Sequence, residues 1–418
     1  MTRSDAVRRA LRTGTTMMVV GTAFSAIEAY AFQVIGGRVL GPEGFAPVSV
    51  MWTVLFLGFT VFLLPLEQMV IRRRVLSPNS VGPFAGAPVS VIAIIGGASV
   101  LTTAFAVLAR DSLLAGDAGF IPVAALMFVG HGVLALGRGH LAGSHRFAAY
   151  GTVVVLDAAA KLTGAIVVAL MGWGPVALSW ALVVSPVVVF AVRPFRVAPA
   201  REGSPDGVLG QDLRFVTAYV VATAASQTVL AAGPLVVGAL GAASASISVF
   251  FVTTTLFRGP MSASYNLVAR ILPMATRRAA SGDDRPLDRW VVRLLAGGLT
   301  AAVVVGLLGA VLGPWTVALL YGAEFRPDAW LAGLAAAGVL AGMAGLVTTQ
   351  ILVARGRTDR LAMVWLAAVA LAALTIAVVP GEPAFRVVLA FCLAEAGALV
   401  GLSGAALIRP RPMIPAQP

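Results

Sequence analysis

Six charged residues stand inside long apolar stretches, and they are the residues best suited to do chemistry. They are Glu28, Glu67, Asp157, Lys161, Arg258 and Glu395. A charge at the centre of a membrane helix costs about 2.5–3.5 kcal/mol on insertion scales, so each one needs a compensating role. A guanidinium holds phosphate oxygens with bidentate geometry, and a buried carboxylate exchanges protons or pairs with a cation. These residue types therefore predict anion binding at Arg258 and ion coupling or internal pairing at the others.

The composition places these charges in a membrane protein. Of 418 residues, 59% are hydrophobic and 11% are charged, and the mean hydropathy is +0.93. A typical soluble domain carries about 25% charged residues. A bilayer span needs about 20 apolar residues. On that measure the sequence predicts twelve spans, near 15–36, 45–70, 88–109, 119–137, 148–171, 174–192, 214–237, 244–269, 292–312, 329–353, 361–379 and 385–407. The apolar stretch 314–321 is too short to cross and is interpreted as a separate interfacial piece.

The distribution of basic residues predicts the orientation. With the N-terminus inside, 24 of the 30 basic residues fall in inner segments, and the outer segments hold only Arg38, Arg110, Arg326 and Arg386. The positive-inside rule then places both termini in the cytoplasm and the chain in the cell membrane as a multi-pass protein. The dispersal of basic residues over the inner segments explains the net charge of +12. Nucleic acid is therefore not an expected partner, whereas membrane lipids are expected partners. A second interpretation of the N-terminus is a signal peptide ending at Ala29-Tyr30-Ala31, but its cleavage would leave unequal halves.

The spans divide into two sets of six. The division falls on the longest non-apolar stretch, so we expect an N-terminal lobe at 1–197, a cytoplasmic linker at 198–213 and a C-terminal lobe at 214–418. Each half starts inside and holds an even number of spans, which predicts parallel repeats. The predicted fold is an all-α integral membrane protein with about twelve transmembrane helices in two six-helix lobes around a central cavity.

Three stretches carry a resemblance to a known family. "GRVLGPEGFAPVSVMWTVLFLGF" (37–59), "AGSHRFAAYGTVVVLDAAAKLTGAIVVAL" (142–170) and "GPWTVALLYGAEFRPDAWLAGLAAAG" (313–338) are similar to segments of the polysaccharide exporters and O-antigen flippases. These proteins belong to the multidrug/oligosaccharidyl-lipid/polysaccharide (MOP) exporter superfamily. The resemblance implies a secondary transporter, not an enzyme, with a central cavity lined by spans one, two, seven and eight.

Polar residues follow one face of those same four spans. Intervals of three, four and seven place Ser25 with Glu28 in span one, Thr60 with Glu67 in span two, and Thr255 with Arg258 and Ser262 in span eight. Span seven contributes Gln227. The predicted substrate-binding residues are therefore Arg258, Glu28, Ser25, Thr60, Glu67, Thr255, Ser262 and Gln227. The predicted ion-coupling residues are Glu28, Asp157 and Lys161.

Each of these residues has a structural alternative. Arg258 pairs internally with Glu28 or Glu67 in one interpretation. Asp157 and Lys161, four residues apart with the acid first, form a self-neutralising pair in another, and Glu395 is interpreted as a packing residue. His140 and His145 are interpreted as solvated loop residues at an inner turn. The single Cys392 excludes an intrachain disulfide, and no GxxxxGK[ST] loop is present for ATP hydrolysis.

The function predicted from these observations is flipping of a lipid-linked, polyprenyl-pyrophosphate sugar or oligosaccharide across the cytoplasmic membrane by alternating access. No cofactor is expected, and coupling is expected to a proton or sodium gradient. The expected partners are the lipid-linked sugar, membrane lipids, and a glycan polymerase or glycosyltransferases. Two alternatives stay open: a multidrug/cation antiporter of the same superfamily, and a membrane glycosyltransferase or ligase.

Overall fold

The computed structural model describes residues 3–76, 88–195, 210–261, 285–355 and 357–408. These residues form helices joined by turns, with no strand among them. The helices are α1 (Arg3–Gly58), α2 (Leu64–Leu76), α3 (Pro88–Leu108), α4 (Arg110–Leu113), α5 (Phe120–Gly143), α6 (Phe147–Met171), α7 (Pro175–Val184), α8 (Gly210–Ala231), α9 (Gly233–Ala239), α10 (244–261), α11 (Arg285–Tyr321), α12 (Ala329–Ala354), α13 (Thr358–Val378) and α14 (Pro383–Leu407). A π-helical turn, Phe59–Leu63, joins α1 to α2, and 3-10 turns occupy Ser185–Val192 and Ala323–Phe325.

The lengths of these helices confirm the predicted fold class. Within the described residues, nine helical stretches are long and apolar enough to cross a bilayer, or ten if the α8–α9 pair, bent by 62°, counts as one span. One of the nine, Thr16–Ile71, carries the first two predicted spans. The described part of predicted span eight is α10. The chain is therefore a multi-pass, all-helical membrane protein.

The turn predicted at 37–44 is a break within α1. Gly41 has φ 67° and ψ 175°, a backbone conformation that favours glycine, and Pro42 restarts the helix. Arg38 donates from Nε to the carbonyl of Leu320 at 2.7 Å and from Nη2 to that of Leu319 at 2.5 Å. These carbonyls end α11, and a cation there also opposes the negative end of the helix dipole. The basic residue of the turn thus caps a helix that is distant in sequence.

The prediction of a separate apolar piece at 314–321 is wrong. These residues are the last two turns of α11, which runs from Arg285 to Tyr321 with Pro314 inside it. A proline removes only one backbone donor, and the apolar run on both sides continues the helix past it. Gly322, with φ 117°, then ends the helical path.

The chain packs into two compact units. Unit 1 takes Met1–Leu209, Ala231–Val252 and Thr316–Arg326, and unit 2 takes Gly210–Leu230, Thr253–Trp315 and Pro327–Pro418. The lobe boundaries at 1–197 and 214–418 are divisions of the sequence, and they stay a prediction. Most of the predicted linker, 198–209, lies outside the described residues.

Unit 1 is built on close contact between α1 and α6. An ideal Cβ on Gly151 would lie 2.5 Å from the backbone carbon of Met17, and one on Gly21 would lie 2.9 Å from the carbonyl oxygen of Gly151. Small residues let two membrane helices approach to backbone contact, where van der Waals packing stabilises the pair. This contact sets the distance between Glu28 and Asp157, each about two turns further along its own helix.

Substitution of Gly151 by Ala is expected to lower the free energy of unfolding by about 1–3 kcal/mol, the usual cost of overpacking. The new methyl group would meet the backbone of α1, which cannot rotate away. Thermal unfolding of the purified protein in one detergent measures the effect. Gly97→Ala in α3 is the matched control, because a Cβ there meets nothing within 4 Å. Equal melting temperatures for the two variants would contradict the α1–α6 contact.

Unit 2 is held by small and aliphatic residues between α12 and its neighbours. One of its core clusters includes Val291, Ile351, Trp365 and Leu402. An ideal Cβ on Gly338 would lie 2.5 Å from the ring of Phe391, so α12 and α14 also approach closely.

Arginines of the α12–α13 turn cap the last turn of α14. Arg355 donates to the carbonyl of Ala406 at 2.7 Å and pairs with Asp288 at 2.9 Å, while Arg357 donates to the carbonyl of Ile408 at 2.8 Å. The sequence assigned these arginines to an inner loop. They also donate hydrogen bonds to backbone carbonyls that have no partner within the helix at its C-terminal end.

Candidate functional site

A cavity of about 260 Å³ lies inside unit 1, among α1, α5, α6, α7 and the π-helical turn. It is lined by aromatic, aliphatic and ionic side chains: Ser25, Trp52, Leu55, Phe56, Phe59, Thr60, His131, Leu134, Arg138, Val154, Asp157, Lys161 and Leu182. Ser25 and Thr60 were predicted from the sequence as cavity residues. Thr60 and Phe59 lie in the π-helical turn, and such turns are frequent at functional sites.

The first ionic group of this cavity joins α1 to α6. Lys161 Nζ lies 2.5 Å from Asp157 Oδ2, and the two side chains are 13% and 12% exposed. Glu28 is 2% exposed and interacts electrostatically with both residues. Its Oε1 and the Oδ1 of Asp157 have no hydrogen-bond partner within the described residues. Two carboxylates therefore share one ammonium group, which leaves acceptor capacity for a proton or a small cation.

The second ionic group joins α2, α5 and α6. Arg138 Nε lies 3.3 Å from Glu67 Oε2, and the Glu67 side chain is 3% exposed. The hydroxyl of Tyr150 donates to Glu67 Oε1 at 3.0 Å and accepts from Arg138 Nη2 at 2.5 Å. The guanidinium carbon also lies 5.7 Å from the ring centre of Phe59 and 5.0 Å from that of Tyr150. Cation–π contact and the ion pair together hold Arg138 in one position.

Arg138 and His140 differ from their sequence assignments. The sequence placed Arg138 in an inner segment and His140 in a solvated turn, because span four was ended at residue 137. Helix α5 continues to Gly143, so both lie inside it, with His140 1% exposed and its ring 5.5 Å from that of Phe195. The assignment of His140 to a solvated loop is therefore wrong. His131 of the same helix is also buried, and its Nδ1 lies 3.0 Å from the carbonyl of Met127.

The predicted residues of spans seven and eight belong to unit 2. Arg258 and Thr255 are half-buried in α10, and Gln227 lines a second cavity of about 250 Å³ inside unit 2. The acidic neighbour that unit 2 supplies to Arg258 is Glu395, whose carboxyl group feels the arginine charge. Glu28 and Glu67, the pairing partners considered from the sequence, have their ionic contacts inside unit 1.

The structure thus gathers the predicted residues into two groups. Glu28, Asp157 and Lys161 meet in unit 1, with Ser25 and Thr60 in the same cavity wall and Glu67 bound to Arg138. Gln227 belongs with Glu395 in the cavity of unit 2. Ser262 lies outside the described residues. One cavity shared by all the predicted residues stays a prediction.

The residues that the sequence reasoning missed are Arg138, Tyr150 and His131. The stretch "HGVLALGRGHLAG" contains no proline that would end a helix. If span four had been extended to Gly143, Arg138 would have been counted among the charged residues inside spans. Tyr150 carries no such signal, because tyrosine is common in membrane helices. His131 does carry one, since a histidine inside a predicted span is rare and marks a candidate functional residue. Among the described residues no cluster of three or more His, Cys, Asp or Glu is arranged to hold a metal ion.

Solved structures with the same fold are multidrug transporters. An inward-facing multidrug resistance MATE family transporter of the MOP superfamily is similar with a TM-score of 0.65 and 16% sequence identity, covering 91% of this chain and 93% of that one. The Vibrio cholerae MATE transporter VcmN in its bent form is similar with a TM-score of 0.53 and 14% identity, covering 96% and 97%. At these identities the likeness establishes the fold, which is that of the MATE transporters.

Curated relatives come from mycobacteria. An uncharacterized protein of Mycobacterium bovis, Mb3654, is 28% identical over 359 residues, covering 81% of this chain and 80% of its own length. The uncharacterized protein Rv1510 of Mycobacterium tuberculosis is 27% identical over 343 residues, covering 77% and 75%. No family model matches the chain.

Proposed function

We propose that this protein is a secondary transporter of the MOP superfamily that flips a polyprenyl-pyrophosphate sugar across the cell membrane. The MATE fold supports a transporter, and the sequence resemblance supports the exporter and flippase branch. Alternating access would move the charged headgroup while the polyprenyl chain stays in lipid.

The observation that carries this proposal is Arg258, a half-buried cation within the apolar helix α10. A pyrophosphate headgroup is the most costly part of the substrate to move through an apolar medium. A guanidinium lowers that cost, because its planar fork matches phosphate oxygens with two parallel hydrogen bonds. The carboxyl group of Glu395 is close enough to Arg258 to feel its charge.

Arg258→Ala is expected to slow flipping of a polyprenyl-pyrophosphate sugar at least tenfold, since about 1.4 kcal/mol of lost headgroup binding gives that factor. The measurement is the accessibility of the labelled lipid to an external sugar-modifying enzyme in proteoliposomes. Arg258→Lys should keep part of the rate, because the charge remains while the bidentate geometry is lost. Arg289→Ala, an exposed arginine of α11, is the control for lost positive charge. An Arg258→Ala rate equal to that of the parent would remove Arg258 from the mechanism.

We infer that coupling to a proton or sodium gradient uses the carboxylates of unit 1. Glu28 and Asp157 share the charge of Lys161, and each keeps one buried oxygen without a hydrogen-bond partner among the described residues. Binding a proton or Na⁺ there would balance the second negative charge. The same event would loosen the hold of Lys161 on one carboxylate, which gives the ion a way to favour one arrangement of α1 against α6.

A multidrug/cation antiporter is the second candidate, and two observations favour it. The solved structures with this fold are multidrug transporters. The cavity of unit 1 carries Asp157 in its wall, with Lys161 and Arg138 as cations, and its aromatic wall is suited to organic cations. Overexpression in a drug-sensitive bacterium separates the candidates. Resistance to cationic dyes without lipid flipping would favour the antiporter, and the reverse result would favour the flippase.

Membrane orientation and partners follow from the same proposal. Both termini are proposed to lie in the cytoplasm, and the protein is proposed to act in the cell membrane beside glycosyltransferases or a glycan polymerase. The lipid-linked sugar is assembled at the cytoplasmic face in this scheme and released at the opposite face. Cysteine labelling at exposed Arg289 and exposed Glu324 would place these two segments on opposite sides of the membrane.

A further inference from the structure

The cavity inside unit 2 differs in character from the ionic cavity inside unit 1. Its volume is about 250 Å³, and it lies among α8, α10, α12, α13 and α14. Its polar wall is formed by uncharged groups apart from one carboxylate: Thr223, Ser226, Gln227, Thr349, Gln350 and Glu395. Trp365, Leu230 and Met261 supply the apolar part of the wall. A mixed wall of amides, hydroxyls and an indole is suited to a neutral, polyhydroxylated ligand.

Glu395 is the group in this wall with unused bonding capacity. The residue is 1% exposed, and its Oε2 has no hydrogen-bond partner within the described residues. An ideal Cβ on Gly342 would lie 2.7 Å from that oxygen, so only glycine at this position of α12 leaves room for the carboxylate. A buried acceptor without a donor costs about 1–3 kcal/mol or more. A ligand that donates a hydrogen bond would recover that cost.

The charge near Glu395 favours a hydroxyl donor over a cation. The positive charge of Arg258 already acts on this carboxyl group, and it would repel a second cation from the same place. Among the described residues, Glu395 is also the single acidic residue in the cavity wall, whereas cation sites in proteins gather several oxygen ligands with more negative charge. A sugar hydroxyl carries no net charge and can donate a hydrogen bond to the unpartnered carboxyl oxygen.

The cavity is large enough for one sugar ring. An apolar cavity of about 150 Å³ binds benzene, so the cavity of about 250 Å³ has room for a single pyranose with its hydroxyl groups. We propose that the cavity of unit 2 is a monosaccharide-binding subsite in which Glu395, seated over Gly342, accepts a hydrogen bond from a sugar hydroxyl.

This inference rests on the proposed function and names the part of the substrate that the cavity of unit 2 binds. Arg258 would hold the pyrophosphate, and the first sugar attached to it would enter the wall formed by Gln227, Gln350 and Glu395. Trp365 lines the same cavity, so its fluorescence reports occupation by a sugar ring.

The test uses the full chain in lipid nanodiscs, because sugar-based detergents would compete for the site. Three soluble probes are titrated: methyl α-D-mannopyranoside, methyl β-D-glucopyranoside and methyl β-D-galactopyranoside. We expect at least one to give a saturable change in tryptophan fluorescence that is lost in Trp365→Phe. Glu395→Leu should weaken that binding at least about tenfold, because the hydrogen bond to the buried carboxyl oxygen is lost. Glu395→Gln should weaken it less, since the amide oxygen still accepts.

A second pair of variants keeps the test decisive if Glu395 variants do not fold. Gly342→Ala should weaken glycoside binding by displacing the carboxylate, whereas Gly345→Ala should not, because a Cβ there is in ordinary contact, 3.7 Å from Leu402. Equal binding by these two variants would overturn the proposal. Saturation by Na⁺ and not by any glycoside, or no saturation by any probe, would also overturn it.

The flipping assay separates this inference from the proposed function. Normal flipping by the parent without glycoside binding would reject the sugar subsite and leave the flippase intact. Glycoside binding that depends on Glu395, without flipping of any polyprenyl-pyrophosphate sugar, would support the subsite and reject the flippase.

Discussion

Replacement of Arg138 by Met is expected to lower the free energy of unfolding by about 3–5 kcal/mol, the cost of leaving a buried charge without its partner. The Glu67 side chain is 3% exposed, and its Oε2 lies 3.3 Å from Nε of Arg138. Methionine keeps much of the packing between Phe59 and Tyr150 that the arginine stem and guanidinium provide. The loss therefore measures charge pairing more than cavity formation. Thermal and denaturant unfolding in one detergent would give the value.

The double variant Arg138→Met with Glu67→Gln is the control for this prediction. It removes both charges and leaves an amide that still accepts from the hydroxyl of Tyr150. Replacing a buried pair by neutral groups is often nearly neutral for stability, so the double variant should recover most of the loss. A double variant as unstable as Arg138→Met would show that packing, not charge, determines the effect.

Replacement of Lys161 by Met is expected to have a similar cost, about 3–5 kcal/mol at neutral pH. Its ammonium group lies 2.5 Å from Asp157 and also acts on the buried Glu28. Without it, Asp157 and Glu28 would both lose the ammonium charge that acts on them. Protonation is the remaining way to neutralise them, so the deficit should be large at pH 8 and smaller at pH 5. Melting temperatures of parent and variant at the two pH values measure this dependence.

The control for Lys161 separates its two acidic neighbours. Asp157→Asn added to Lys161→Met should recover part of the stability, and Glu28→Gln added to both should recover most of the rest. If ion coupling uses this group, the triple variant should fold and yet transport without dependence on the proton or sodium gradient. A pH-independent deficit in Lys161→Met would contradict the shared charge.

The sequence alone determined the elements and the contacts that lie within one element. Apolar runs of about 20 residues form helices in a bilayer because every backbone group must be bonded inside the segment. The helix repeat then brings residues four apart to one face, so Asp157 and Lys161 meet whatever surrounds them. The break at Gly41 and Pro42 also follows from local backbone preferences. The helix bounds were less certain, since the apolar signal near Arg138 and at 314–321 fades gradually.

Only the tertiary structure decided which charge meets which. Arg138 reaches Glu67 on another helix, Arg38 reaches the end of α11, and Glu395 sits over Gly342. Each contact depends on the rotation of one helix about its axis and on its vertical offset from the next. These two quantities are set by where glycines allow close approach, as at Gly151 against Met17. A helical wheel shows which residues share a face of one helix, but it does not show which other helix that face contacts. The contact depends on how the surfaces of both helices pack together.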